Sequence, residues 1–300
     1  MKKSLLEALA ERPLLGDGAM GTQLAAAGLA PGECGELWNV TCPDRVVAIQ
    51  RRYVEAGSDC LITNTFGGSR LMLARHELGD RAAEINKAAA AVAREAFGDR
   101  EGYVLGDIGP FGGFMEPYGD VPESAVREAF AEQAQALVEG GVDAIIVETQ
   151  TAVEELVIAI EAARAAGAAC VIGSLAYDVG PGSIATMMGV EPGQAAAAVK
   201  EHGGHVVALN CGTGMTMEAA VQVVARYRQA VDLPLMAQPN AGQPRVVGDH
   251  VEYDETPEHM AAGVVPLLDA GARIVGACCG STPEHIRMFR AAMDGGRAGG

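Results

Sequence analysis

The sequence predicts a single (β/α)8 barrel, and three observations support that fold class. Eight short apolar runs, often β-branched and bounded by turn residues, recur along the 300 residues, as buried parallel strands do. Ala-, Glu- and Leu-rich segments with helical periodicity separate them. Four strands begin within similar segments, EAGSDCLI, EGGVDAII, AAGAACVI and DAGARIVG. In each segment a glycine ends the preceding helix. Eight βα units in ~250–300 residues fit a closed TIM barrel better than a doubly wound sheet, since no GxGxxG motif is present.

The chain divides into three parts along its length. Residues 1–13 predict a short amphipathic helical segment rather than a signal peptide, because Glu7 and Glu11 interrupt its apolar stretch. Residues 14–292 form the barrel, and residues 293–300 are expected to be a disordered tail. The predicted strands span 14–20, 60–66, 103–109, 144–150, 170–177, 206–212, 234–240 and 273–280.

Composition narrows the class of partner and the compartment. The net charge of −17 argues against nucleic acid and anionic membranes, which both attract clustered Lys and Arg. No segment reaches the ~18 apolar residues of a membrane span. Seven cysteines, an odd number, are scattered through a chain without an export signal. That pattern predicts a cytoplasmic protein with free thiols or a metal, not a disulfide framework.

Polar side chains end seven of the eight predicted strands. In a barrel of this kind, chemistry takes place at the C-terminal ends of the strands, and a barrel without a function has no need of so many polar ends. Only the fifth strand, ending in SLAYD, is less distinctive. The candidate residues are Asp17, Asn64, Asp107, Glu148, Asn210 with Cys211, Asn240, and Cys278 with Cys279.

Three thiols at the ends of strands six and eight indicate a catalytic zinc site, because three thiolates leave one position for substrate. Neighbouring residues of a strand point to opposite faces. The strand must therefore break between Cys278 and Cys279 for both to reach one metal, and Gly280 suits such a break.

The cysteines have two other possible structural roles. A disulfide between adjacent cysteines is strained and disfavoured in a reducing compartment. Burial as small core residues is the usual fate of a free Cys, and it is the expectation for Cys60 and Cys170 at strand starts. Cys34 and Cys42, in a loop, receive no role. Ser281 is interpreted as part of a helix start without a catalytic role.

The motifs GDGAMGTQL, TNTFGGSR, GDIGPFG, NCGTG, PNAGQP and GACCGSTPEHI together resemble the zinc-dependent homocysteine S-methyltransferase family. The resemblance runs from about residue 10 to residue 292. It is greatest to the homocysteine-binding modules of cobalamin-dependent methionine synthases. Those enzymes continue into further domains, whereas this sequence has 300 residues.

The resemblance implies roles for individual residues. One zinc ion per chain is expected on Cys211, Cys278 and Cys279, with the zinc-activated substrate thiolate as the only catalytic group. The remaining candidates are expected to bind the ammonium and carboxylate of the substrate or to lie near the open zinc position. These are Asp17 and Glu148 for the ammonium, backbone amides at Gly18 and Ala19 for the carboxylate, Asn240 beside the zinc, and Asn64 and Asn210 nearby.

The activity that the resemblance implies is methyl transfer to the thiolate of homocysteine, giving methionine. The expected donor is a methylated corrinoid, methylcobalamin, carried by a separate protein. Three alternatives stay open: an onium donor such as S-methylmethionine or betaine, transfer in the opposite direction to a corrinoid protein, and a zinc- or amino-acid-binding barrel without activity.

Overall fold

The structure of the protein is a computed structural model that describes residues 2–247 and 250–297. Eight parallel strands form one sheet in the order β1-β12-β9-β8-β5-β4-β3-β2, and helices surround it. The predicted (β/α)8 barrel is confirmed. The strands are β1 (Leu14–Leu15), β2 (Cys60–Ile62), β3 (Tyr103–Ile108), β4 (Ala144–Gln150), β5 (Val171–Leu175), β6 (Asp178–Gly180), β7 (Ser183–Ala185), β8 (Val206–Asn210), β9 (Leu235–Gln238), β10 (Pro244–Val247), β11 (His250–Tyr253) and β12 (Ala272–Val275).

Two antiparallel hairpins were not predicted from the sequence. Strands β6 and β7 pair after β5, and β10 and β11 pair after β9. Both hairpins belong to loops that leave the C-terminal ends of barrel strands. Their strands are short, and they lack the continuous apolar runs by which the barrel strands were found.

Thirteen α-helices complete the described part of the chain. They are α1 (Leu5–Glu11), α2 (Gly21–Ala26), α3 (Trp38–Thr41), α4 (Pro43–Ala56), α5 (Arg70–Leu73), α6 (Ala82–Phe97), α7 (Glu123–Glu139), α8 (Val153–Ala165), α9 (Pro192–Glu201), α10 (Met217–Ala230), α11 (Pro257–Ala262), α12 (Val264–Asp269) and α13 (Pro283–Arg297). Within residues 2–247 and 250–297, no helix combines the length and the apolar character needed to cross a membrane.

Helix α1 covers the N-terminal end of the barrel, as the amphipathic pattern predicts. The Ser4 hydroxyl accepts a hydrogen bond from the Glu7 amide, and the Glu7 carboxylate accepts one from the Ser4 amide, so both ends of a capping box are present. Leu5 and Leu9 are buried in one cluster with residues of the barrel strands, such as Leu14 and Tyr103. Cys60 and Cys170 belong to the same cluster, which agrees with their expected place in the core.

The other end of the chain differs from expectation. Helix α13 continues to Arg297, so residues 293–297 are helical and not part of a disordered tail. Met293 is buried in the main core, and this contact explains why the helix extends past residue 292. The last three residues of the predicted tail, 298–300, lie outside the described residues.

Hydrogen bonds from the backbone and from side chains join the two edges of the sheet, β1 and β2. The Asp59 amide donates to the Leu15 carbonyl at 2.7 Å. One carboxylate oxygen of Asp17, Oδ2, accepts from the Ile62 amide at 2.8 Å. Asp17 therefore closes the barrel at its C-terminal end, beside the candidate site.

Candidate metal centre and substrate cavity

A cavity of about 420 Å³ opens at the C-terminal face of the barrel. The structure brings six of the predicted strand-end residues into its wall, as expected for a barrel of this type. They share the wall with residues of the segments after β1 and β2 and with Gln238 at the end of β9. The six are Asn64, Asp107, Glu148, Cys211, Cys278 and Cys279.

The three candidate ligand thiols form a compact triangle. The Sγ atoms of Cys211 and Cys279 lie 3.8 Å apart, and those of Cys278 and Cys279 lie 3.9 Å apart. All three sulfurs are within 4.8 Å of one another. Zn–S bonds of ~2.3 Å at tetrahedral angles place sulfur atoms about 3.8 Å apart. The spacing and the donor set therefore fit a zinc ion with one further position.

The backbone at the paired cysteines breaks as the zinc interpretation requires. Strand β12 ends at Val275, and the residues from Gly276 to Gly280 are not a strand. The Cys278 amide still donates to the Pro239 carbonyl at 2.9 Å, whereas the Cys279 carbonyl accepts from the Ala241 amide at 2.9 Å. Gly280 follows with a φ of 80°. The regular alternation of side chains is lost, so both thiols face one point.

Cys211 reaches the same point through a left-handed backbone. Its φ is 55°, a conformation that few residues other than glycine adopt. Gly212 follows with a φ of 93°, and a Cβ there would lie 1.9 Å from the Tyr177 carbonyl oxygen. Hydrogen bonds from Cys278 and Cys279 lower the pKa of the Cys211 thiol. These hydrogen bonds favour the thiolate form of Cys211.

Asn210 supports the cysteines and does not line the cavity. Its side chain is fully buried, and its Oδ1 accepts from the Thr149 amide at 3.1 Å and the Ser174 hydroxyl at 2.7 Å. Its Nδ2 donates to the Thr149 hydroxyl at 2.7 Å and lies 3.8 Å from the sulfur of Cys278. Thr149 itself has a φ of 57°. Asn210 thus connects two strained strand ends to a ligand thiol.

The other two asparagines hold loops around the site. Asn64 donates to the Gly35 carbonyl at 2.8 Å and to Asn39 Oδ1 at 3.3 Å, which fixes the wall of the cavity. Asn240 donates to the Gly212 carbonyl at 3.1 Å, in the residue next to Cys211. The expected place of Asn240 beside the metal stays a prediction.

Three buried carboxyl groups, Asp17, Asp107 and Glu148, belong to this region, and the latter two line the cavity. Burial raises the pKa of Asp17 to about 7. Burial, and then the negative charges of Asp17 and Cys211, raise the pKa of Glu148 to about 8. Burial and the neighbouring Glu148 raise the pKa of Asp107 well above its usual value. These shifts arise because several carboxylates share a site with little water, and a bound cation would relieve them.

The amide of Ala19 is not free to bind a substrate carboxylate. It donates to the Ser281 hydroxyl oxygen at 2.9 Å, and that hydroxyl donates to the Cys278 carbonyl at 2.8 Å. A Cβ at Gly18 would lie 2.6 Å from the same oxygen. The expectation for Ala19 is therefore corrected, since its amide is satisfied inside the protein. Ala19 lines the cavity together with Met20 and Gly21, at the uncapped start of α2.

Comparison with known proteins decides the family. A sequence profile described as homocysteine S-methyltransferase matches residues 14–293. The chain belongs to the homocysteine S-methyltransferase family. Among curated members, it is 35% identical over 304 aligned positions to methionine synthase of Mycobacterium tuberculosis and 34% identical to methionine synthase of Mycobacterium leprae. Each alignment covers 96% of this chain and 25% of the relative, so the chain spans about a quarter of their length.

Solved structures agree on the fold. The homocysteine methyltransferase MmuM from Escherichia coli, in its metallated form, superposes with a TM-score of 0.77 at 22% identity. The match covers 95% of this chain and 99% of that one. Its apo form superposes with a TM-score of 0.73. The family's single-domain barrel thus accounts for nearly all of the chain.

Ser281 is a residue of this homocysteine S-methyltransferase site that was not predicted from the sequence. Ser281 is fully buried and ties the turn of Cys278 to the segment after β1. Its motif was interpreted only as a helix start. A usable signal was its spacing: Ser281 lies three residues after Cys278, and its amide donates to the Cys278 carbonyl at 3.2 Å, as in a tight turn.

Proposed function

We propose that the protein transfers a methyl group to the sulfur of homocysteine, giving methionine, with one zinc ion on Cys211, Cys278 and Cys279. The observation that carries this proposal is the position of the thiol triangle. It lies in the wall of a cavity that also presents carboxyl groups for an ammonium. A thiol ligand and an α-ammonium are the two features that distinguish homocysteine from most metabolites.

The chemistry needs a thiolate at neutral pH. A free thiol has a pKa near ~8.5 and is mostly protonated. Zinc in such a site supplies Lewis acidity that keeps a coordinated substrate sulfur deprotonated. Methyl transfer is a direct displacement at carbon, so the protein needs no general base there. Its own residues bind and orient the amino acid.

The acidic cavity accounts for binding of the amino-acid end. Asp17 and Glu148 are proposed to hold the ammonium, since an opposite charge relieves the burial of both carboxyls. None of the described residues that line the cavity is a Lys, Arg or His. Neutral donors are therefore left to meet the substrate carboxylate. We propose those of Met20 and Gly21, because the Ala19 amide is already bonded to Ser281.

A methylated corrinoid on a partner protein is the proposed donor. Large apolar side chains are exposed on loops that leave the same face of the barrel as the cavity, and such surfaces commonly mark contacts with a partner. A small onium donor would not require them. These side chains are Phe66, Phe114, Tyr118, Met187 and Met188. Because all seven cysteines are free thiols, we place the protein in the reducing cytoplasm.

A donor screen tests the proposed function. Zinc-loaded protein is incubated with homocysteine and, separately, methylcobalamin, S-methylmethionine, betaine or S-adenosylmethionine, and methionine is quantified. Methionine formation with methylcobalamin supports the proposal. Turnover with only the onium compounds overturns the donor but not the acceptor. Binding of homocysteine without methionine from any donor favours a binding protein.

A further inference from the structure

Asp107 is a buried carboxyl group for which the family resemblance supplies no role. Its side chain is 2% exposed, it lines the cavity, and its Oδ1 atom has no hydrogen-bond partner among the described residues. A buried polar atom without a partner costs free energy unless a ligand satisfies it. The atom therefore points to something that the cavity binds.

The backbone holds Asp107 firmly in this position. The Asp107 amide donates to the Thr63 hydroxyl at 2.9 Å, and its carbonyl accepts from the Thr65 hydroxyl at 2.7 Å. The side-chain amide of Gln133 donates to the same carbonyl at 3.1 Å. Such a network places the carboxyl group precisely, as a binding residue requires.

The neighbours of Asp107 are acidic. The charges of Glu148 and Asp17 act on the Asp107 carboxyl group, and the charge of Asp17 also acts on Glu148. Asp17 also has one buried oxygen, Oδ1, without a partner in the described part of the chain. Three carboxyl groups in one poorly hydrated place repel each other when ionised. They are compatible with a bound cation that offers several N–H donors.

We propose that Asp107 is the third carboxyl group that holds the α-ammonium of the amino-acid substrate, together with Asp17 and Glu148. A primary ammonium has three N–H donors, one for each carboxyl group. This inference rests on the proposed function for the identity of the amino acid. It adds a specificity-determining residue: the cavity selects a free α-ammonium and rejects analogues that lack one or carry it acylated.

The experiment compares ligands that differ in a single group. Isothermal titration of zinc-loaded wild type, Asp107→Asn and Glu33→Gln uses homocysteine, its desamino analogue 4-sulfanylbutanoate, and thiol-free L-2-aminobutanoate. Glu33 lines the outer cavity and is exposed, so Glu33→Gln removes the same charge without touching the proposed ammonium site. Thermal unfolding of each variant monitors folding.

The expected result is a selective loss. Asp107→Asn weakens the binding of homocysteine and of L-2-aminobutanoate by about 10- to 100-fold, the range for a hydrogen bond to a charged group. The variant changes the affinity for 4-sulfanylbutanoate by less than about twofold, and Glu33→Gln changes the affinity for each of the three ligands equally little. The variant melts no lower than wild type without ligand, because one repelling carboxyl is gone.

Three results overturn the inference. Equal weakening of homocysteine and 4-sulfanylbutanoate means that Asp107 only shapes the cavity, and unchanged homocysteine affinity means that it makes no contact. Absence of any binding by the wild type overturns this inference and the proposed function together. Asp107-dependent binding of L-2-aminobutanoate without preference for homocysteine supports the ammonium site and overturns the proposed function alone.

Discussion

The sulfur atoms of Cys211 and Cys279 lie 3.8 Å apart, although 68 residues separate them in the chain. Two different backbone departures produce this approach. Cys211 leaves β8 with a left-handed φ of 55°, and Cys279 lies in the turn after β12. Neither thiol belongs to a strand, so the thiol triangle is attached to the barrel rather than built into its core.

The first prediction concerns metal content. Cys279→Ala removes one of three proposed ligands and is expected to lower zinc affinity at least about 100-fold, because the remaining two thiolates cannot enclose the ion. Metal analysis by mass spectrometry after gel filtration measures zinc per chain. The far-UV circular dichroism stays native, since residue 279 is outside every strand. Cys42→Ala, a thiol outside the cavity wall, keeps about one zinc; equal zinc in both variants contradicts the site.

The second prediction tests the support that Asn210 gives to the cysteines. Asn210→Ala removes the amide beside Cys278 and leaves the Thr149 amide and Ser174 hydroxyl without their acceptor. We expect a loss of about 1–3 kcal/mol in the free energy of unfolding and a zinc affinity about 10- to 100-fold lower. Chelator competition and urea unfolding measure the two effects.

A matched control separates these effects. Asn39 is also buried, and its amide donates to the Asn64 carbonyl at 2.8 Å, away from the thiols. Asn39→Ala should lower stability by a similar amount and leave zinc affinity unchanged. If both variants lose zinc equally, Asn210 acts through general stability alone.

The third prediction concerns close packing at Gly18. A Cβ at this position would lie 2.6 Å from Ser281 Oγ and 2.9 Å from Tyr53 Cε1. Gly18→Ala should therefore displace Ser281 from the turn of Cys278 and destabilise the protein by about 1–3 kcal/mol in urea unfolding. A Cβ at Gly21 meets nothing within 4 Å, so Gly21→Ala should be neutral or slightly stabilising. The same loss at both positions would show that helix entry, not packing, is responsible.

The fourth prediction is a pH dependence of stability that comes from Glu155. Its carboxylate accepts the Phe111 amide at 2.8 Å, yet burial raises its pKa to about 7. The folded protein therefore binds a proton that the unfolded chain, with a pKa near ~4.3, has lost. Stability from this group is present below the unfolded pKa and is lost as pH rises through about 7.

Glu155→Gln should flatten this dependence. The amide oxygen still accepts the Phe111 N–H but does not titrate. Chemical unfolding at pH 5 and pH 8 measures how much the free energy of unfolding falls between the two pH values. We expect the fall to be larger in the wild type than in the variant, by at most about 3 kcal/mol. The acidic Glu154, exposed on the same helix, provides the control Glu154→Gln. Parallel pH profiles for the wild type and Glu155→Gln would assign the dependence to other carboxyls.

The barrel strands were predictable because burial on both faces leaves continuous apolar runs. Every barrel strand begins within one residue of its predicted window. The predicted ends were less accurate. Strand β1 covers only Leu14–Leu15, although the window extended to residue 20. Two backbone bonds continue past the strand, from the Gly16 amide to the Val275 carbonyl and from the Ala277 amide to the Asp17 carbonyl. Apolar composition does not report where a ladder of hydrogen bonds stops.

The sequence by itself determined the eight βα units, and with them the gathering of strand-end polar groups at one face. It also predicted a break in the strand at Cys278 and Cys279, because adjacent side chains of a regular strand point to opposite faces and cannot reach one metal. Tertiary structure alone decided which strand-end residues reach the cavity. Asn210 turns inward to support Cys278, the Ala19 amide is taken by Ser281, and Asp107 joins Glu148. Those outcomes depend on hydrogen bonds between residues far apart in the chain, and no local pattern encodes such bonds.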